Sequence, residues 1–189
     1  MAFPIYIKAA GSKKISVAKE IKEVNRLRLR FELGMARKIN SLLSKVAREA
    51  AQAYSSGVSI SLATRDLEKE FGAIFNAQYT SVINAFAGRV MRDRKQEPDF
   101  FALIQRYQRQ QGTRDIVAVS ETTRRSIAKA IDIGEADGLG VAATSKLIVQ
   151  RTSGAIGRSR AATIARTETH AAASYATEES TRSLNLPNQ

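Results

Sequence analysis

A single histidine, His170, and no cysteine stand among the 189 residues. Those two counts remove most of the side chains used for nucleophilic and metal chemistry: there is no Cys nucleophile, no thiolate zinc site and no second imidazole to complete a ligand set. A lone histidine in an alanine-rich stretch reads as a packing or surface residue. Carboxylates do pair by spacing, Glu168 with Glu178 or Glu179 and Asp132 with Glu135. Such pairs can divide acid and base roles, but in a chain rich in arginine they read more simply as ion-pair partners. Glu121 stands three and four residues ahead of Arg124 and Arg125, which is helical ion-pair spacing. Gly138-Leu139-Gly140 lacks the preceding strand and third glycine of a dinucleotide fingerprint, so it reads as a turn. No enzyme activity, cofactor or metal is therefore expected. An enzyme acting on nucleic acid through acidic metal ligands that converge only in the fold is the alternative.

Charge is the stronger signal. Thirty Lys and Arg against eighteen Asp and Glu give a formal charge of +12 and a pI near 10.3. A field of this sign draws DNA, RNA, anionic lipid or an acidic protein surface. The candidate polyanion-binding residues are Arg26, Arg28, Arg30, Arg37 and Lys38, with Arg92, Arg94 and Lys95 in a second charged run. No run of about 18 apolar residues is available to span a bilayer. The basic amphipathic helices could lie on a membrane surface, but their stripes have few large aromatics beside them and read as core-facing, so no membrane partner is expected. The short apolar patch at Phe3 to Ile7 has no basic segment before it, so no signal peptide is expected either.

The elements that must position these residues are helices. The apolar content is mainly Ala, Ile, Leu and Val, aromatics are 6% and Pro is rare, which suits long helices packed on one another. Residues 1–12 read as an extended arm. From about Ser12, Ile21, Val24, Phe31, Met35, Ile39, Leu42, Val46, Ala50 and Ala53 recur at spacings of mostly three or four, up to the stop signal Ser55-Ser56-Gly57. The helix is about 40 residues long, with Gly34 as a candidate break. Ser59 or Ser61 can cap the next helix, whose stripe is Leu67, Phe71, Ile74, Gln78, Val82, Phe86 and Val90. A short amphipathic helix through Phe100, Phe101, Leu103, Ile104 and Tyr107 should end at Gly112.

A further helix covers about Thr113 to Ile133, followed by a loop from Gly134 to Gly140 and a helix from Val141 to Arg151. A linker over Thr152 to Gly157 then leads to a last helix from Arg158 or Ser159 to about Ser180. The fold expected is all-α: a basic long-helix hairpin over 13–112, a smaller C-terminal helical unit over 113–182 and an irregular tail over 183–189. A helix of 40 residues can hardly bury its stripe in one small domain, so self-association is expected.

The most distinctive stretch runs from Gly157 to Ser180, GRSRAATIARTETHAAASYATEES. Helical spacing aligns Ala161, Ile164, Ala165, Glu168, Ala172, Tyr175 and Glu179. It reads either as an alanine-rich helix with surface ion pairs, or as one in which Arg166 and Glu168 are partly buried and tie it to its neighbours. Arg160, Ala161, Ile164, Ala165, Arg166, Thr167, Glu168 and Thr169 form the pattern R-A-x-x-I-A-R-T-E-T. Together with the spacing of Ile127, Ile131, Gly134, Gly138 and Ile148, it resembles the phage head morphogenesis family of minor head proteins over about residues 113–182.

The resemblance implies a virion component at the portal vertex, in the host cytoplasm during assembly, with no enzyme activity. Its implied partners are the portal protein and the capsid or scaffolding protein, with double-stranded DNA as a candidate polyanion. In such an arrangement the C-terminal helices dock while the basic hairpin lies along portal, capsid lining or DNA. The alternative is a stand-alone, sequence-nonspecific DNA-binding protein, which accounts for the charge and leaves the Arg166–Glu168 segment unexplained.

Overall fold

In the computed structural model, residues 16–91 and 100–185 are described, and every element among them is helical. The arm expected over 1–12 and the cations Arg92, Arg94 and Lys95 lie outside the described residues, as do residues 186–189.

Helix α1, Val17–Ser55, is continuous for 39 residues, about 58 Å at 1.5 Å per residue. Gly34 does not break it, because its neighbours are good helix formers and the penalty of one glycine is about 1 kcal/mol. Gly57, at φ +68°, ends it, and the Val58 amide returns to the Ala53 carbonyl at 2.9 Å. The Ser59 hydroxyl accepts from the Ser61 amide and opens the short α2, Ile60–Thr64, ahead of α3, Leu67–Val90. Helix α4, Phe100–Tyr107, does not stop at Gly112; it passes through a wide π turn, Gln108–Gly112, straight into α5, Thr113–Ala136.

The glycine read as a terminator is instead a point of close approach: a Cβ at Gly112 would sit 2.9 Å from the Tyr79 ring. The loop after α5 turns at Gly138, φ +65°, as its Asp-Gly sequence suggests. Helices α6, Val141–Ser153, and α7, Ala155–Asn185, are both longer than expected. The linker reduces to Gly154, because Gly157 lets α7 start against the end of α6, where a Cβ would meet the Thr152 carbonyl oxygen at 2.4 Å. At the other end α7 continues to Asn185, so the tail expected from residue 183 is helical through its first three positions.

Helices α1 and α3 run antiparallel, with Lys45 to Glu70 at 2.7 Å near one end and Arg89 bonded to Glu20 and Glu23 near the other. The C-terminal helices pack directly on this pair. Helix α7 packs on both α1 and α3, α6 packs on α1, and α5 packs on α6 and α3. One core joins Met35, Leu43, Phe71 and Ile83 from the first half to Ile127, Ile148, Ala165 and Ala172 from the second. The alanine stripe of α7 (Ala161, Ala165, Ala172, Ala173 and Ala176, all at most 1% exposed) is the reason: without long side chains, three backbones approach together. The stripe of α1 is therefore covered within the chain from Met35 onward and does not by itself call for a second copy. Ahead of Met35, Val24, Leu27 and Phe31 are half-buried, whereas Ile21, Leu29 and Leu33 stay exposed.

Candidate functional site

Helix α7 sorts the residues of the distinctive motif by its own periodicity. Ala161, Ala165, Glu168 and Thr169 face inward, Arg160 and Ile164 are half-buried, and Arg166 and Thr167 face solvent. Of the pair expected to share a partly buried role, only Glu168 is buried.

Arg160, Glu168 and Thr169 each have a partner on another helix. The Arg160 guanidinium donates to the Val119 carbonyl at 2.9 Å and to the Thr123 hydroxyl at 3.1 Å, which fastens α7 to α5. Burial holds its pKa below the usual arginine value. Glu168, 7% exposed, accepts a 2.6 Å hydrogen bond from the Tyr79 hydroxyl of α3. Desolvation pushes its carboxyl up to about 7; the Tyr79 bond opposes the shift, while Asp115 adds to it. The Tyr79 hydroxyl is itself driven far above the ordinary range by burial and by Glu168, so it stays a donor. Next to this pair the Gln78 amide donates to Thr169 at 2.9 Å and to the Phe31 carbonyl at 3.2 Å, joining α3, α7 and α1 at one point.

Aromatic rings surround this polar seam. Phe71, Phe75, Tyr79 and Tyr107 meet edge to face at centroid distances of 6.3, 5.9 and 4.9 Å, and Tyr107 meets Tyr175 of α7 at 4.9 Å. The π turn at Gly112 brings the backbone against the Tyr79 ring and so holds its hydroxyl toward Glu168. The seam can hold a proton near neutral pH, but its carboxylate is buried and already bonded.

At the rim, His170 Nε2 lies 3.2 Å from Glu32, and Arg28 lies 3.5 Å from the same carboxylate, tying α7 to α1. Burial and Arg28 lower the His170 pKa against the pull of Glu32. Glu121 reaches Arg125 at 3.7 Å as the spacing suggests, but Arg124 turns to Glu68 of α3 at 2.9 Å. Glu168 does not join Glu178 or Glu179; Glu179 instead bonds Arg106 and Arg182, while Asp132 and Glu135 are exposed. Among the described residues no cluster of His, Asp and Glu is placed to hold a metal ion. None of the helices among them is long and apolar enough to cross a membrane.

The basic candidates divide. Arg26, Arg30, Arg37 and Lys38 are exposed along α1, whereas Arg28 is half-buried against Glu32 and Asn25. A second exposed feature follows the start of α7, an open depression lined by Ala155, Ile156, Ser159, Arg160, Thr163 and Ile164. Ile156 there is 64% exposed.

Tyr79 and Gly112 were missed as site residues. Gln78 carried a signal: a glutamine in an otherwise apolar stripe must find a buried partner. No family model, curated protein or solved structure matches the chain.

Proposed function

We propose that the chain is a minor head-morphogenesis component of a tailed phage or prophage: a non-catalytic helical adaptor that docks at the portal vertex. Capsid or scaffolding protein would be its neighbour, and packaged double-stranded DNA would meet its basic surfaces. The observation that carries the reading is the division of labour in the motif of α7. Arg160, Glu168 and Thr169 bind the fold together, while Arg166 and Thr167 are left at the surface. That division suits a motif whose chemistry is structural: its inward half fixes the helix and its outward half, continued by Ile156 and Thr163, offers a docking face. Glu168, being buried, has no direct part in docking.

The stand-alone DNA-binding reading is favoured by one observation, the net charge of +12. Assembly separates the two. Coexpressed with the portal, capsid and scaffolding proteins of the same phage, the tagged chain should sediment with portal-containing shells and be depleted from shells made without portal. Equal recovery from both, or recovery only with DNA, would favour the DNA-binding reading.

A further inference from the structure

The outward face of the N-terminal half of α1 is built differently from the other charged surfaces. Lys22, Arg26, Leu29, Leu33 and Arg37 follow one another at spacings of four, three, four and four, so they share one face of the helix, and Arg30 borders it. All six are exposed; Leu29 keeps 54% and Leu33 50% of its surface in solvent. The row from Lys22 to Arg37 is about 22 Å long. The core face of the same helix, Val24, Phe31, Met35 and Ile39, points the other way. The nearby carboxylates are turned aside as well: Glu20 and Glu23 to Arg89, Glu32 to Arg28 and His170. The result is a short leucine seam flanked by cations.

We infer that this face docks an acidic amphipathic helix of another protein, leucine seam against apolar seam and cations against flanking carboxylates. The pattern is one half of a helix pair, in which apolar positions drive contact and charged borders choose the partner. A second copy of the same face is a poor occupant, because cations would oppose cations. Duplex DNA would satisfy the cations and leave both leucines in water, so it gains nothing from the seam. The inference stands on α1 alone and holds whether or not α7 docks at a portal.

The test uses the full chain and a fluorescent 21-residue helical peptide with leucine at each third or fourth position and glutamate beside it. Controls are the same peptide with its leucines replaced by glutamine, and a 20-base-pair duplex. Anisotropy at 0.15 M salt should show binding of the leucine peptide. The variant Leu29→Gln/Leu33→Gln should bind it about twenty-fold more weakly, from re-exposing half of each of two leucines. Both leucines are outside the core, so its thermal melt should match that of the unaltered chain. The glutamine peptide should show the same loss, and duplex affinity should not change with the variant. No binding of the leucine peptide, equal binding of the two peptides, or an unchanged affinity in the variant overturns the inference.

Discussion

Replacing Glu168 by glutamine should stabilise the protein at alkaline pH and leave it nearly unchanged in acid. In the fold the Glu168 carboxyl titrates at about 7, against 4.5 for a free glutamate side chain, because desolvation outweighs the Tyr79 hydrogen bond. Below about pH 4.5 the folded and unfolded chains both hold the proton, and the group makes no pH-dependent difference. Between pH 4.5 and 7 the unfolded chain releases it first, so unfolding is favoured as pH rises, and the loss amounts to about 3 kcal/mol by pH 8. Glutamine is neutral throughout, has nearly the same shape and can still accept from the Tyr79 hydroxyl. Glu168→Gln should therefore match the unaltered chain at pH 4.5 and exceed it by about 3 kcal/mol at pH 8, which for a chain of this size raises the melting temperature by roughly 6–12 °C. Paired urea and thermal unfolding of the two proteins at both pH values isolates this group, since other titrations cancel in the difference. A difference that does not change with pH, or a glutamine variant less stable at pH 8, would refute the reasoning.

Other expectations follow from the same contacts. Gly34→Ala should stabilise by about 0.5–1 kcal/mol, since a Cβ there meets nothing within 4 Å. Gly112→Ala should destabilise by about 1–3 kcal/mol, because its Cβ forces the Tyr79 ring aside; urea midpoints of the two variants should move in opposite directions. Arg160→Ala removes the bonds to Val119 and Thr123 and the packing of the arginine stem, and should cost about 1–3 kcal/mol in the same assay. Binding of duplex DNA through about six phosphates should give a log affinity against log salt slope near −5; a slope near zero would remove the electrostatic contact with DNA.

The helices themselves were legible because their apolar stripes are long and interrupted by few glycines or prolines. Met35, Ile39, Leu42 and Val46 are buried as the spacing requires, and so are Leu67, Phe71, Val82 and Phe86. Helix ends were read less well where glycine served packing: Gly112 and Gly157 permit close approach, a property of the neighbour across the gap and not of the local sequence. That the hairpin and the C-terminal helices share one core was less legible for a related reason. Burial of α3 extends to a second row, Phe75, Tyr79, Ile83 and Ala87, because other helices cover it from more than one side. In the site, the inward position of Glu168 followed from helical period, but Tyr79 lies 89 residues away and Gln78 lies 91 residues from Thr169. Such pairings are set by how helices stack, which no local pattern encodes.

The most direct measurement of the proposed role is retention of the chain on the portal protein of the same phage during a wash at about 0.5 M salt, where a Debye length of roughly 4 Å suppresses exposed charge attraction. Unaltered protein and Arg166→Glu should be compared, with thermal melts to establish that both are folded. The expected result is retention of the unaltered chain and loss of the variant at an unchanged melting temperature. Loss of both in the wash, with binding kept only to DNA at low salt, would contradict the portal-docking role and leave a sequence-nonspecific DNA-binding protein.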